Sequence, residues 1–224
     1  MEAARNGLES MGKSDFSTMD NLLARYVAGT LPTPVNMAVG AHLELKEDNR
    51  DFVGSLETLA GEAVEIMPGA AVSDREKRLE GIFSHELEPQ ADPSGNPRGM
   101  IPYALAALVP HDIDTIPWRS KMPGYKECAL GVIEGCEVNL LWIRAGRKMP
   151  AHTHEGSEIT LVLDGAFSDS RGRYGRGDIA LADEDVDHSP IAESDRPCIC
   201  LAITDAPLRL TGSYRQFFSE FIGR

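Results

Sequence analysis

Three side chains that can bind a metal ion lie close together in the sequence, at His152, His154 and Glu158. Alternate side chains of an extended strand point to the same face, so the two imidazoles share one face. Glu158 has the same parity and joins them if residues 155–157 turn without a change of phase. Two imidazoles and a carboxylate on one face are suitable ligands for a divalent metal ion. This segment therefore predicts a metal site.

A fourth ligand is expected from a later strand that folds back beside the first. Residues 175–178, Gly-Arg-Gly-Asp, are a turn signal, and Ile-Ala-Leu at 179–181 is typical of a short strand. His188 follows in an acidic segment, where the alternative is a solvated loop histidine. The predicted ligands of one divalent ion are His152, His154, Glu158 and His188.

The elements that must position these ligands differ between the two halves of the chain. The first half has apolar residues at helical spacing in four segments, with start signals such as the capping box Ser-Asp-Arg-Glu at 73–76. The third helix, from about residue 48 to residue 65, is expected to have an inner apolar face formed by Phe52, Val53, Leu56, Leu59, Ala60 and Ala63. Strand-like runs at 129–133 and 138–143, separated by glycine turns, dominate the second half.

A segment rich in proline and glycine and poor in apolar residues separates the two halves, and it is typical of a linker. We therefore predict an α+β multidomain protein in which a small helical bundle precedes a β-barrel. The predicted boundaries are a helical domain at 14–86, a linker at 87–101 and a barrel at 102–224.

Composition and charge limit the possible functions. The chain has 224 residues and a formal net charge of −13. Such a charge disfavours direct binding to nucleic acid or to an anionic membrane, and it suits a basic protein partner. We find no apolar run of membrane-spanning length and no signal-peptide core in residues 1–16, so a cytoplasmic location is expected.

The spacing of the first three ligands resembles the first sequence motif of the cupins, G-x5-H-x-H-x3-E-x6-G. The motif runs from 146 to 165 and matches at every fixed position. The second cupin motif, G-x5-P-x-G-x2-H-x3-N, is similar around His188, but Asp183 and Asp185 replace the proline and glycine and Ala192 replaces the asparagine. The ligand is therefore retained, while the local turn departs from the pattern. The resemblance implies that the barrel is a cupin, a double-stranded β-helix.

The combination of a helical domain and a cupin resembles the ChrR-type anti-sigma factors. Residues 22–31, Leu-Leu-Ala-Arg-Tyr-Val-Ala-Gly-Thr-Leu, are similar to that family's first helix and exit turn, and 41–45 are similar to the end of its second helix. Trp118 and the Pro-Gly pair at 123–124 resemble the entry to its cupin. The resemblance implies that the helical domain holds an extracytoplasmic-function sigma factor away from RNA polymerase. It further implies that the cupin senses a stress signal.

The same resemblance implies that the cupin metal is zinc, with iron, nickel or manganese as alternatives that the ligand types do not exclude. A homo-oligomer formed through the cupin is a further expectation. The chain nevertheless departs from the zinc motif of the family's helical domain. That motif places cysteines at Lys46 and Asn49 and a histidine near Ser17, so that only His42 remains. Because a protonated ammonium, an amide and a hydroxyl are not normal structural zinc ligands, we predict a vestigial site without zinc and a core or interface role for His42.

The four cysteines are typical of reduced thiols rather than of a disulfide framework. Cys198 and Cys200 share one face of an apolar strand that follows soon after His188. If that face points into the barrel, both thiols lie near the metal and could respond to oxidants. The alternative is that both are small core hydrophobes.

Three classes of function fit these features. The favoured one is an anti-sigma factor with a metal-bearing sensory cupin, in which no residue is catalytic. The second is a metal-dependent, dioxygenase-like cupin enzyme, because three histidines and a glutamate also suit Fe(II) with open coordination positions. The third is a metal- or ligand-binding module with a different protein partner. The helical domain favours the regulator, because a free-standing cupin enzyme has no need of it.

Overall fold

The structure is a computed structural model that describes residues 18–84, 100–110 and 112–211. Four α-helices come first, as the sequence predicts: α1 (Met19–Val27), α2 (Thr33–Leu45), α3 (Arg50–Glu65) and α4 (Arg75–Ser84). Two short 3-10 helices, Tyr103–Leu105 and Ile113–Thr115, lead into the strands. Across these described ranges, no helix is both long enough and apolar enough to cross a membrane.

The described strands form three antiparallel sheets. The largest has six strands in the order β1-β2-β3-β10-β5-β8, and these are β1 (Arg119–Met122), β2 (Tyr125–Ile133), β3 (Cys136–Ile143), β10 (Cys198–Thr204), β5 (Glu158–Asp164) and β8 (Ile179–Ala182). A three-stranded sheet, β7-β6-β9, consists of β7 (Gly172–Gly175), β6 (Ala166–Asp169) and β9 (Ile191–Ala192). The remaining pair is β11 (Leu208–Leu210) with β4 (His152–His154). Because the strands fall into three sheets, the barrel of the described chain is not closed by one continuous ladder.

Local signals explain where the first helices begin and end. The Thr18 hydroxyl accepts the N–H of Asn21 at 3.3 Å and caps the start of α1. Gly29 adopts a left-handed φ of 65° just after that helix, as expected of a C-terminal glycine. Pro34 lies in the first turn of α2, where its missing N–H removes no helical hydrogen bond.

One hydrophobic core joins the helices to the large sheet. Leu22 and Val39 from the helices, Leu105 from a 3-10 helix, and Leu140 and Leu201 from the sheet are all 0% exposed and belong to the same cluster. The sheet is thus covered by helices on its outer face, and α1 and α2 bury their apolar residues partly against the barrel. The predicted linker lies almost wholly outside the described residues, so the domain boundaries stay a prediction.

Helices α3 and α4 are the exceptions, because α3 is buried only near its beginning and α4 has no buried residue. Val53 is 5% exposed, whereas Phe52 is 40% and Leu59 is 61% exposed. The predicted inner face of this helix is therefore confirmed only for Val53 and the half-buried Leu56, and it is wrong for Phe52, Leu59, Ala60 and Ala63. Past these two residues, α3 extends away from α1 and its apolar side chains remain in contact with water.

Candidate metal centre

Backbone pairing places His152 beside His188. Each residue donates its backbone N–H to the carbonyl oxygen of the other, at 3.0 and 3.1 Å. Their rings consequently meet, with the two Nε2 atoms 3.0 Å apart. Glu158 is the first residue of β5, and its Oε2 lies 3.8 Å from His188 Nε2. The ligand atoms of these three residues all lie within 4.8 Å of one another.

The turn between the two ligand strands is held by Asp205. The Ser157 N–H donates to Asp205 Oδ1 at 2.6 Å, and the Asp205 N–H donates to the Ser157 carbonyl oxygen at 3.2 Å. A side chain at Gly156 would overlap the same carboxylate, so this close approach requires glycine. The turn returns the chain in phase, and Glu158 therefore faces His152.

Hydrogen bonds at Nδ1 turn both imidazoles so that Nε2 points into the site. His152 Nδ1 lies 2.8 Å from the carbonyl oxygen of Pro150, which can only accept, so this nitrogen carries the proton. His188 Nδ1 lies 3.2 Å from Asp169 Oδ2. The two histidines are only 7% and 6% exposed. Neutral imidazoles held in this way present Nε2 lone pairs, and with a carboxylate they fit a divalent metal ion.

His154 is the remaining predicted ligand. The backbone of His154 pairs with Leu208 in the β4–β11 ladder, while its side chain lies outside what the structure describes. Its role as a ligand therefore stays a prediction.

Asp169, at the end of β6, was not singled out by the sequence, because no motif marks an acidic residue there. Its contact with His188 arises only from the folding of β6 beside the site.

A cavity of about 350 Å³ opens beside the three described ligands. Its wall is mostly apolar and includes Leu141, Met149 and Phe167, and among the residues that the structure describes it has no lysine or arginine. Tyr125 also lines the cavity, and burial, followed by the nearby Glu127 carboxylate, raises the pKa of its phenol above the ordinary range. Apart from the Glu158 carboxylate and the two imidazoles, the described wall therefore offers a largely apolar surface to a small molecule that reaches the candidate ligands.

The two neighbouring cysteines lie on the interior face of β10. Cys198 and Cys200 are 0% and 1% exposed, and their sulfur atoms are 3.4 Å apart. Cys200 lines the cavity. The hydrogen bond with Cys198, together with burial, raises the pKa of the Cys200 thiol well above its ordinary value. Because the thiolate is the reactive form, this environment disfavours oxidation.

We expect both thiols to behave as small core hydrophobes. Native protein treated with peroxide, then unfolded in denaturant and alkylated, should show full labelling of Cys198 and Cys200 by mass spectrometry. The physical reason is that both thiols are shielded from water and that the pKa of the Cys200 thiol is raised. A control sample unfolded before peroxide treatment should lose labelling. Selective loss of labelling in the native sample would instead support the oxidant-sensing role.

The residues predicted to form a vestigial zinc site connect α2 to the turn between β7 and β8. His42 is 3% exposed, and its Nδ1 donates to the carbonyl oxygen of Gly177 at 2.6 Å. Its Nε2 accepts a hydrogen bond from the Asn49 side-chain amide at 2.8 Å. Lys46 Nζ forms an ion pair with Asp178 Oδ1 at 2.6 Å. We call this set of residues the helix–turn contact; Ser17 lies outside the described residues.

The close fit of this contact depends on a glycine. Gly177 has a left-handed φ of 87°, and a Cβ there would lie 2.7 Å from Lys46 Cγ and 2.9 Å from Leu45 Cβ. The ion pair with Asp178 is the largest cause of a raised pKa for the Lys46 ammonium. Hydrogen bonds and an ion pair therefore occupy the positions at which the sequence resemblance implies metal ligands.

Substitution of His42 tests this interpretation. We expect His42→Ala to lower the free energy of unfolding by about 1–3 kcal/mol, because it leaves a buried carbonyl and an amide without a partner. Lys46→Ala is the matched control and should cost less than about 1 kcal/mol, since the ion pair is partly solvated. Denaturant titration measures both values, and elemental analysis should find the metal content of both variants unchanged. A zinc ion that is present in the wild type and lost from His42→Ala would contradict the vestigial assignment.

Comparison with known proteins shows similarity along both halves of the chain. Residues 107–206 match the family described as the ChrR cupin-like domain. The anti-sigma-E factor ChrR of Cereibacter sphaeroides is 37% identical over 205 residues, which cover 90% of this chain and 95% of that protein. The crystal structure of Rhodobacter sphaeroides SigE in complex with the anti-sigma ChrR matches with a TM-score of 0.70 and 34% identity, covering 84% of this chain and 97% of the matched chain.

Proposed function

The chain belongs to the ChrR family of anti-sigma factors, and on this basis we propose that it binds an extracytoplasmic-function sigma factor and keeps it from RNA polymerase. The observation that carries the proposal is the extent of the similarity, which includes 90% of this chain and therefore the helices as well as the cupin. The matched structure contains the related anti-sigma factor together with SigE. Since the proposed partner works with RNA polymerase, the protein would act in the cytoplasm.

The exposed apolar residues of α3, α4 and the segment between them are the proposed docking surface. Their exposed fractions are large: Leu59 61%, Val64 66%, Ile66 86%, Ile82 67% and Phe83 83%. Many large apolar side chains exposed on neighbouring segments are typical of a protein interaction site. Helix α3 also carries four carboxylates against one guanidinium, which suits a basic partner. Charge complementarity would accelerate association, so the association rate should fall as salt is added.

The cupin is the proposed sensory part. His152, Glu158 and His188, together with the predicted ligand His154, would hold one divalent ion, for which zinc is preferred over iron, nickel and manganese. The bound ion would supply a positive centre at which a signal molecule can coordinate. The protein's own residues orient the imidazoles, shield them from water and provide the apolar cavity. A homo-oligomer through the cupin remains part of the proposal.

The helix–turn contact offers a connection between the metal centre and the helices. Glu158 begins β5, and Val162 in the same strand accepts from the Gly177 N–H at 2.8 Å and donates to the Asp178 carbonyl oxygen at 3.0 Å. The turn that contains Gly177 and Asp178 is in turn bonded to α2 through His42 and Lys46. A shift of β5 at the metal site would therefore move this turn against α2. If the two positions of the turn differ in free energy, a change at the metal site can shift the sigma factor between its bound and its released state.

The alternative of a dioxygenase-like enzyme is less well supported. Its main support is the donor set, which also suits iron with open positions. An enzyme of that kind would not explain the family similarity in the helices or the exposed faces of α3 and α4. We retain the predicted division into a helical domain at 14–86, a linker at 87–101 and a cupin at 102–224 as part of the regulatory proposal.

Co-expression tests the proposal. The full chain and the sigma factor encoded beside it should elute together from a size-exclusion column at micromolar concentration. A sigma factor from an unrelated locus serves as the control and should elute separately. Circular dichroism must show that the helices are folded. Separate elution of the cognate pair, with folded helices, would contradict the proposal and favour the enzyme.

A further inference from the structure

Asp169 is a buried carboxylate that lies beside the metal ligands without belonging to them. Its side chain is 0% exposed. Oδ1 accepts the backbone N–H groups of Arg171 at 2.8 Å and Gly172 at 3.2 Å, which closes the turn after β6. Oδ2 lies 3.2 Å from His188 Nδ1, and the Arg171 guanidinium Nε lies 3.9 Å from the same oxygen. The two carboxylate oxygens therefore have different partners.

The contact with Oδ2 decides which nitrogen of His188 faces the other ligands. An ionised carboxylate can only accept a hydrogen bond, so His188 Nδ1 carries the proton and Nε2 presents its lone pair. That Nε2 is the atom that lies 3.0 Å from His152 Nε2. Pro150 performs the equivalent task for His152 with a backbone carbonyl oxygen. Asp169 thus does for His188 what the Pro150 carbonyl oxygen does for His152: it accepts the hydrogen bond from Nδ1.

Asp169 also connects two parts of the fold at the site. It ends β6 in the three-stranded sheet, whereas His188 is joined by its backbone to His152 at the start of β4. His188 is therefore held at two points. Its backbone pairs with His152 of β4, and its ring Nδ1 contacts Asp169 of β6. A ring held in this manner has little freedom to rotate Nε2 away from the metal position.

We propose that Asp169 is a positioning residue of the metal centre, which fixes the tautomer and the orientation of His188 and so strengthens metal binding. This inference rests on the proposed metal centre. Outer carboxylates that accept from a metal-bound histidine typically change metal affinity by about 10–100-fold when they are replaced. The inference concerns this side chain alone and does not require the sigma factor.

Two substitutions separate positioning from a purely structural role. Asp169→Asn keeps one oxygen that can accept from Arg171 and Gly172, but it presents an N–H group to His188 Nδ1. Asp169→Ala removes both functions. Asp183→Asn is the matched control, because its Oδ1 accepts the Asp185 N–H at 3.1 Å in an exposed turn of the same neighbourhood. The affinity of the full chain for Zn²⁺ is measured by competition with a chromophoric chelator.

We expect Asp169→Asn and Asp169→Ala both to weaken zinc binding by about 10–100-fold, and Asp183→Asn to match the wild type. Ring 15N shifts of metal-free protein should show the Nδ1–H tautomer of His188 in the wild type and its loss in Asp169→Asn. Wild-type affinity and an unchanged tautomer in Asp169→Asn, with a defect only in Asp169→Ala, would overturn the positioning role alone. A wild-type chain that binds no zinc would instead contradict the metal centre itself, and with it this role.

Discussion

Replacement of His152 and His188 together by alanine is expected to abolish metal binding. Protein purified without added metal should contain about one equivalent of a divalent ion in the wild type and none in the double variant. The reason is that the substitution removes both imidazole donors of the described set and leaves Glu158 with the predicted ligand His154, which are too few donors to hold the ion. Elemental analysis by mass spectrometry measures the content directly and also identifies the metal.

The His42→Ala variant is the control for this experiment, because it removes a buried histidine that lies outside the proposed site. It should retain the wild-type metal content. Loss of the ion should also lower the thermal midpoint of the double variant, since a ligand that binds only the folded state stabilises it. Metal retained at the wild-type level in a folded double variant would refute the assignment of these ligands.

Introduction of positive charge on the proposed docking surface is expected to disrupt the complex with the sigma factor. Leu59→Lys and Ile66→Lys, combined in one variant, place two ammonium groups where a basic partner would bury apolar surface. Each substitution at a central interface position typically costs about 2 kcal/mol or more, which is roughly thirty-fold in affinity. Isothermal titration of the sigma factor into the full chain measures the loss.

The stability of this variant should be close to that of the wild type, because both side chains are already mostly in water, at 61% and 86% exposed. Val132→Lys is the matched control, since Val132 is 73% exposed on β2 of the cupin, far along the chain from α3. It should bind the sigma factor normally. Equal affinity in all three proteins would place the docking surface elsewhere.

Local features of the fold could be predicted from the sequence because their causes are local. The helix that starts after Thr18 and ends before Gly29 is specified by its capping residues. His152 and Glu158 face each other because they have the same parity along the chain and the short turn at Gly156 keeps that phase. Such signals depend on neighbouring residues and need no knowledge of the rest of the chain.

Features that depend on distant partners could not be predicted in this way. Periodicity identifies the apolar residues of α3, but it does not say whether another element covers them, and Leu59 proves to be exposed. The contact of His42 with Gly177 joins residues 135 positions apart. Asp169 reaches His188 because β6 pairs with β9 beside the site, and the sequence near Asp169 gives no indication of it.

The predicted vestigial zinc site is where the resemblance implies that this chain differs from the family's pattern. Lys46 and Asn49 stand where that resemblance implies metal ligands, and both side chains take part in contacts around α2, with Asp178 and with His42. The shared core of helices and sheet supplies further support, because Leu22 and Val39 pack in the same cluster as Leu201. We infer that the cupin contributes to the stability of the helices in place of the missing ion.

Competition with RNA polymerase tests the central claim most directly. Fluorescently labelled sigma factor from the neighbouring gene is mixed with core RNA polymerase, and the purified full chain is added in increasing amounts. The account predicts that the sigma factor leaves the polymerase-bound fraction and appears in an equimolar complex with the chain. A sigma factor that stays fully bound to polymerase in the presence of a large excess of folded chain would contradict it.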